Sequence, residues 1–380
     1  MRKILRNNRS IFLITFSLVF LLTVAMVLKG KYKVFLVYQS GTLDFWHNIN
    51  PYSNWQHPLD RYLYGPVFSL FFAVLAFLPS WLGALVWNIG SFILFFTAVF
   101  YLPGKHFPKK QKQFIFWFLF PIVITDLFYF QTNVFVTSLF LIAYSLFERN
   151  KSGAAILVVL FSGFAKIYGL IQLGTLLFYR KLWRNVLITL ACSALLFLIP
   201  LIKIHYSELL NYYQTWFAAI DQRHNPIDFE VIYRLFHLLG YRSVFEHVVL
   251  IQGIFLFAVC ICTLVNYRKF ADFNFRTQVF AIVISWVILF STTAEKHTYV
   301  IAMTGLVLWY LTGPKARFDR TLLWLNFVLI ILIPIDAIFP KALMRLLYYK
   351  LGLNLLLFTI TWLRMFSFTY FRKDAAENKV

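Results

Sequence analysis

The chain has 380 residues, of which 61% are hydrophobic and only 13% are charged. Soluble domains carry about 25% charged residues, so this composition excludes an ordinary globular protein and predicts an all-α polytopic membrane protein. The net charge of +21 does not indicate a nucleic-acid partner, because the basic residues are spread between the apolar runs, as the positive-inside rule predicts.

The first apolar run, residues 11–28, follows four basic residues. It is too long for a signal-peptide core and no convincing cleavage site follows, so we predict a retained span and a cytoplasmic N-terminus. Two apolar runs come next, but only 81–102 has about the 20 residues needed to return across a bilayer. We therefore expect 29–80 to form a long extracytoplasmic loop, with a juxtamembrane helix at 67–79.

The extracytoplasmic loop contains the polar and aromatic stretch DFWHNINPYSNWQHPLDRYLYGPVF at 44–68. Its acids are Asp44 and Asp60. Trp and Tyr residues are common at the membrane interface, so an aromatic belt is the simple interpretation of this stretch. A functional pocket is the alternative.

Residues 154–179 lie between two short basic segments, 149–151 and 180–184, called basic links below. The positive-inside rule places both in the cytoplasm. Two crossings in about 26 residues leave roughly 18 Å of helix for each limb, which is less than the bilayer core of about 30 Å. We predict a short helical hairpin, open to the outside, with Lys166 near its tip.

The rest of the chain predicts further spans and a second large extracytoplasmic segment at 203–246. The total is about twelve transmembrane helices in a single domain over 1–367, with both termini cytoplasmic and a disordered tail at 368–380. The further spans are expected at 113–127, 131–147, 185–202, 247–266, 277–293, 298–312, 321–339 and 351–367.

This topology places several loops with polar side chains on the outer face, where charged groups beside a cavity are functional candidates. A lone interfacial His or Lys is more often a solvated anchor. The sequence lacks the motifs of metalloproteases, hydrolases, nucleotide-driven pumps and redox proteins, and it predicts no metal site and no cofactor. The candidates outside the first loop are Asp126, Gln131, Asn133, Lys166, Arg223, Glu295, Lys296 and His297.

Six short motifs in chain order resemble glycosyltransferase family 87, a group of C-type membrane glycosyltransferases. They are NPY (50–52), YLYGPVFSLFFAVLAFLP (62–79), LVWNIGSF (85–92), FQTN (130–133), GFAKIYGL (163–170) and STTAEKHTYVIAM (291–303). The resemblance implies a C-type helical bundle in a bacterial inner membrane. It also implies inverting transfer of a mannose-like hexose from a polyprenyl-phosphate sugar to an envelope glycan or glycolipid on the extracytoplasmic face.

Inverting transfer needs a carboxylate base and groups that hold the departing phosphate. The acid that usually precedes the tyrosine after the first span in this family is missing from KYKVFLVY (31–38). Asp60, Asp44 and Asp126 are the remaining candidates for the base, in that order, and an interfacial ion pair or loop cap is the alternative for the first two.

The resemblance assigns phosphate binding to Lys166 and His297, and position adds Arg223 and Lys296. Gln131, Asn133 and Glu295 are candidate sugar ligands, although the first two could equally satisfy a turn. The sequence differs from the family at two positions, where a glycine is Phe130 and a proline is Gly169.

Two other functions fit the same sequence. One is a transporter or flippase for a lipid-linked or polar solute, and the other is a non-catalytic envelope-assembly protein. The ionisable residues gather at the outer ends of the spans and no internal repeat is evident, which favours an outer-face enzyme over a path through the membrane.

Overall fold

The computed structural model describes residues 7–53, 59–221, 231–292, 294–335 and 338–372. Throughout these ranges the chain forms helices and no β-strand, which confirms the all-helical class. The chain divides into two compact units, Met1–Arg223 and His224–Val380. The single domain expected over 1–367 stays a prediction.

The first unit contains nine α-helices among its described residues. They are α1 (Asn8–Leu28), α2 (Lys33–Trp46), α3 (Pro66–Ala76), α4 (Ser80–Tyr101), α5 (Lys109–Phe128), α6 (Asn133–Glu148), α7 (Ser152–Ala165), α8 (Leu182–Leu198) and α9 (Tyr206–Asp221). Two 3₁₀ segments, Ile167–Phe178 and Ile199–Ile202, follow α7 and α8.

The described part of the second unit contains seven α-helices. They are α10 (Ile232–Leu238), α11 (Val248–Val265), α12 (Phe273–Leu289), α13 (Tyr299–Thr312), α14 (Arg317–Asn326), α15 (Lys341–Met344) and α16 (Leu353–Phe371). Short 3₁₀ turns occupy Arg242–His247, Tyr267–Lys269 and Lys296–Thr298, and π-helical turns extend α14 and α15 over Phe327–Leu332 and Arg345–Lys350.

Five helical segments in the described ranges are long and apolar enough to cross a membrane. They are Asn8–Leu28, Ser80–Tyr101, Lys109–Phe128, Leu182–Ile202 and Ser243–Val265. A sixth is possible if Lys341–Lys350 and Leu353–Phe371, bent by 57°, form one span. The chain is therefore a membrane protein, whereas a total of about twelve crossings stays a prediction because several expected spans are shorter helices.

Several boundaries differ from those expected. The 29–80 segment contains a second helix, α2, besides the predicted helix at 67–79, which is α3. At the other end of the chain, α16 runs to Phe371, so residues 368–371 are helical and do not belong to a disordered tail. Residues 373–380 lie outside the described ranges.

The basic links of the first unit meet at one end of its helices. Lys112 Nζ donates to the carbonyl of Phe100 at 2.8 Å, and Arg149 Nη2 donates to the carbonyl of Tyr101 at 2.7 Å. Both cations thus cap the carboxyl end of α4, which is where positive charge is favourable. The start of α1 lies at the same end of the unit, because Gln113 Nε2 donates to Asn8 Oδ1 at 2.9 Å.

The basic link at residues 180–184, which follows the hairpin, lies at the same end of the unit as Lys112 and Arg149. The Tyr179 hydroxyl donates to Glu148 Oε1 at 2.7 Å, and the Tyr179 ring stacks on Phe147. The basic residues from 105 to 112, from 149 to 151 and from 180 to 184 therefore lie on one side of this unit. Lys166 lies at the opposite end of α7.

The predicted hairpin is present, with α7 as one limb and the 3₁₀ segment Ile167–Phe178 as the other. Ile156, Val159 and Leu160 of α7 are buried in one apolar cluster with Leu176 of the second limb. Helical limbs of 14 and 12 residues each span less than a bilayer core of about 30 Å. Lys166 is the single residue between the limbs.

Helix α9 packs against the carboxyl end of α2 and against Leu63 and Gly65, just before α3. Four of its buried residues, Leu209, Tyr212, Tyr213 and Trp216, recur at the three- and four-residue spacing of an amphipathic helix. They form a cluster with Phe45 at the carboxyl end of α2. This packing fixes the extended segment that leads into α3.

Candidate functional site

Asp126, Asn133 and Lys166 form a hydrogen-bonded chain in the first unit. Lys166 Nζ donates to Asn133 Oδ1 at 3.2 Å, and Asn133 Nδ2 donates to Asp126 Oδ1 at 2.9 Å. An ammonium can only donate and an ionised carboxylate can only accept, so the amide orientation of Asn133 is fixed by its two neighbours. The neutral amide of Asn133 thus bridges the Lys166 cation and the Asp126 carboxylate.

Asp126 lies in the last turn of α5 and holds the start of α6. Its second oxygen, Oδ2, accepts from the backbone N–H of Val134 at 3.0 Å. The side chain is fully buried, and Asn133 is 2% exposed. A carboxylate that accepts from the first-turn amides of a helix stabilises that helix terminus. The geometry therefore favours a positioning role for Asp126.

The Lys166 ammonium lies between two tyrosine rings. Its Nζ is 5.6 Å from the centre of the Tyr64 ring and 5.5 Å from that of Tyr168, within the range of cation–π attraction. Burial lowers the pKa of Lys166, but Tyr168, Tyr64 and the Asp126 carboxylate raise it by more, so its pKa lies above the ordinary value. The ammonium stays charged at neutral pH, and the Asn133 bond uses one of its three donors.

Tyr64 links the segment before α3 to the same cluster. Its hydroxyl shares a 3.0 Å hydrogen bond with Thr132 Oγ1, one residue before Asn133. Its carbonyl accepts from the Tyr52 hydroxyl at 2.6 Å. The motifs NPY, YLYGP, FQTN and GFAKIYG therefore meet in space although they are far apart in sequence.

Two positions that differ from the family pattern have identifiable geometry. Phe130 has φ +56°, a left-handed conformation that glycine adopts without strain. Its ring is fully buried, so apolar packing offsets the backbone strain. Gly169 donates its backbone N–H to the carbonyl of Lys166 at 2.8 Å, a bond that proline could not form. A Cβ at Gly169 would also lie 2.6 Å from the Gly163 nitrogen.

The other acids and Gln131 are placed differently. Asp60 is exposed, and Asp44 is half-buried in the last turn of α2. Gln131 is half-buried and donates its backbone N–H to the carbonyl of Asp126 at 3.2 Å, so its backbone completes the turn between α5 and α6. Arg223 lies outside the described residues.

Glu295, Lys296 and His297 belong to the second unit, at the turn before α13. The Glu295 backbone N–H donates to Thr298 Oγ1 at 3.2 Å, which caps this turn. His297 is 6% exposed. Burial, with a smaller contribution from the charge of Lys296, lowers the pKa of His297 to about 3. At neutral pH His297 is therefore a neutral hydrogen-bond donor, not a second cation.

Acidification is expected to destabilise the second unit through His297. Its pKa is lowered from 6.5 to about 3, so the unfolded chain binds a proton that the folded chain does not bind between these values. Stability is full above pH 6.5 and falls by up to about 1.4 kcal/mol for each pH unit below it. Thermal unfolding in detergent at pH 7.5 and pH 5 measures this loss. The His297→Gln variant should not show this loss of stability. An equal loss in the variant and the wild type would contradict the assignment of the effect to His297.

Sequence reasoning missed the roles of Tyr64, Thr132 and Tyr168 around Lys166. The only signal in the sequence was that all three residues lie inside the motifs YLYGPVFSLFFAVLAFLP, FQTN and GFAKIYGL. In the described part of the chain, no three His, Cys, Asp or Glu side chains lie close enough to hold a metal ion.

The fold and the site define a helical membrane protein with a lysine-centred polar cluster at the opposite end of its first unit from the basic links. The chain belongs to glycosyltransferase family 87, whose sequence model matches residues 62–292, more than half of its length. The matched range contains Tyr64, Asp126, Asn133 and Lys166, and ends before Glu295. No curated protein matches the chain.

Proposed function

We propose that this membrane glycosyltransferase moves a mannose-like hexose from a polyprenyl-phosphate donor to an envelope glycan or glycolipid, with inversion at the anomeric carbon. The observation that carries the proposal is the Lys166 ammonium, held by Asn133 between Tyr64 and Tyr168. This cluster lies within the family-matched range. A fixed cation there suits a phosphate that gains charge as it departs.

In the proposed reaction, an acceptor hydroxyl oxygen attacks the anomeric carbon while the bond from that carbon to the phosphate oxygen breaks. The electron pair of the breaking bond leaves with the polyprenyl phosphate, which Lys166 stabilises. The hydroxyl proton passes to a carboxylate. His297 and Lys296 stay candidates for phosphate binding, and Arg223, Gln131 and Glu295 stay candidates for substrate contacts.

Asp60 is the preferred base among the three candidates. It is exposed, and it precedes Tyr64 by only four residues in the segment that meets Lys166. Asp44 is the second candidate. Asp126 is the least suited, because both of its oxygens already accept hydrogen bonds in a fully buried position. A base must have a free oxygen within hydrogen-bond reach of the proton that it accepts.

The proposed orientation has both termini in the cytoplasm of a bacterial cell and the site on the extracytoplasmic face of its inner membrane. The basic links at one end of the first unit support this arrangement, because such links are retained in the cytoplasm. The Lys166 cluster is at the other end. About twelve crossings and outer-face juxtamembrane helices, including α3 and α9, complete the proposed topology.

The test is a transfer assay with purified protein in vesicles and a polyprenyl-phosphate mannose carrying a labelled sugar. Envelope glycolipid extract serves as the acceptor source. Transfer should release free polyprenyl phosphate in the same amount as labelled glycolipid. A flippase would move the donor across the vesicle bilayer and leave the donor intact, and an assembly protein would do neither.

Asp60→Asn is expected to lower kcat by about 10²–10⁴-fold, because an amide cannot accept the hydroxyl proton. The same assay measures it beside Asp44→Asn, which should change kcat by less than about threefold if Asp60 is the base. The pH–rate profile should lose its acidic limb in Asp60→Asn. The reverse pattern would assign the base to Asp44, and full activity in both variants would remove both acids from this role.

A further inference from the structure

Two backbone segments of the first unit cross in direct contact next to Lys166. The Gly65 N–H donates to the carbonyl of Ala165 at 3.3 Å. A Cβ on Gly65 would lie 2.0 Å from the carbonyl oxygen of Phe164. The backbone of Gly65, at φ −65° and ψ 161°, is one that any residue adopts. Glycine is therefore required at position 65 only because the two backbone segments approach each other so closely.

Trp216 of α9 also packs against this crossing. Two of its ring atoms lie 3.1 Å from the same Cβ position on Gly65, and its Nε1 donates to the carbonyl of Leu63 at 2.9 Å. The side chain is 2% exposed. The α9 cluster also holds the other segment, because Phe164 packs against it and lies edge-to-face with Tyr213. Helix α9 thus contacts both crossing segments.

The crossing is directly connected to the lysine site. Gly65 follows Tyr64, whose ring faces the Lys166 ammonium, and Ala165 precedes Lys166 itself. We therefore expect a change in the separation of Gly65 and Ala165 to move the Tyr64 ring and the Lys166 ammonium relative to each other. Displacements of about 1 Å at a reacting centre can reduce rates about 10²-fold.

We propose that Gly65 and Trp216 are positioning residues that hold Lys166 in place against Tyr64. The catalytic consequence rests on the proposed function, whereas the positional claim does not. The alternative is that Trp216 only contributes buried apolar surface to α9. Tyr212 distinguishes these two roles. It is as buried as Trp216 on the same helix, but its ring packs on Phe45, and the ring atoms nearest to a Cβ on Gly65 belong to Trp216.

The experiment measures amine reactivity and transfer in the same set of full-length variants. Vesicle-bound protein is treated with limiting acetic anhydride at pH 8, and peptide mass spectrometry gives the acetylation rate of Lys166 relative to Lys203. The test variants are Gly65→Ala and Trp216→Leu, with Trp216→Phe as the conservative replacement. The matched controls are Tyr212→Leu, and Gly153→Ala on α7, where an added Cβ meets no atom within 4 Å.

Gly65→Ala and Trp216→Leu should raise the relative acetylation rate of Lys166 at least fivefold, because the ammonium leaves its position between the rings. They should also lower kcat about 10–100-fold. Trp216→Phe should restore most of both values, since a ring again fills the space beside Gly65. Both controls should stay within twofold of the wild type, even if Tyr212→Leu unfolds at a lower temperature.

The two claims fail in different ways. An unchanged acetylation rate at Lys166 in Gly65→Ala and Trp216→Leu would overturn the positioning role, whatever happens to transfer. The positioning role would also be overturned if Tyr212→Leu raised the acetylation rate as much as Trp216→Leu does. Faster acetylation with unchanged transfer would support the positioning role and remove Lys166 from the proposed catalytic site.

Discussion

Replacing Lys166 by methionine is expected to lower kcat for sugar transfer by about 10²–10³-fold. Methionine keeps the length and the apolar stem of the side chain but removes the charge that would meet the departing phosphate. Asp126 keeps its bonds to Asn133 and Val134, so α6 should stay in place. The measurement is kcat and KM for polyprenyl-phosphate mannose, together with the thermal unfolding temperature.

Lys203→Met is the matched control for the Lys166 variant. Lys203 also lies over an aromatic ring, with its Nζ 6.0 Å from the centre of the Trp46 ring, and it belongs to no part of the proposed site. Its loss should change kcat by less than twofold. Lys166→Arg should retain part of the activity, because the charge remains while the planar guanidinium fits the Asn133 oxygen differently. Equal kcat values for Lys166→Met and the wild type would refute the phosphate-binding role.

Much of the fold was predictable because apolar runs of bilayer length have a direct physical meaning. The spans at α1, α4, α5 and α11 follow from hydropathy and length alone. The hairpin around Lys166 followed from the positions of two basic links. Helix α2 was missed because its residues, KVFLVYQSGTLDFW, mix polar and apolar side chains within a segment assigned to a loop. Boundaries near π-helical turns such as Phe327–Leu332 also carry no clear sequence signal.

The site was predictable only in part. Topology placed Asp126, Asn133 and Lys166 on one face, and the structure joins them by hydrogen bonds. Their roles depend on details that a sequence does not contain, such as which oxygen of Asp126 accepts from Val134. The crossing at Gly65 was equally hidden, because a Gly-Pro pair ordinarily indicates a helix start and gives no sign of a neighbouring backbone.

Asp126→Ala is expected to lower the free energy of unfolding by about 2–6 kcal/mol. The substitution leaves two buried donors, the Val134 N–H and Asn133 Nδ2, without the oxygens that now accept from them, and each such loss costs about 1–3 kcal/mol. Asp126→Asn should cost less, because its amide oxygen can still accept one of the two bonds. Chemical denaturation in detergent measures both values.

Transfer by the Asp126→Asn variant decides between a base and a positioning residue. A base replaced by an amide would lose about 10²–10⁴-fold in kcat together with the acidic limb of the pH–rate profile. If Asp126 is a positioning residue, the variant should lose about tenfold in kcat, because Asn133 then holds Lys166 less firmly. It should keep the acidic limb of the pH–rate profile, because the true base still titrates. Asp319→Ala is the matched control, since Asp319 is also fully buried and bonded to Arg364 Nε at 2.8 Å and to the Ala316 N–H at 3.1 Å. It should lower stability by a comparable amount and leave the pH–rate profile unchanged.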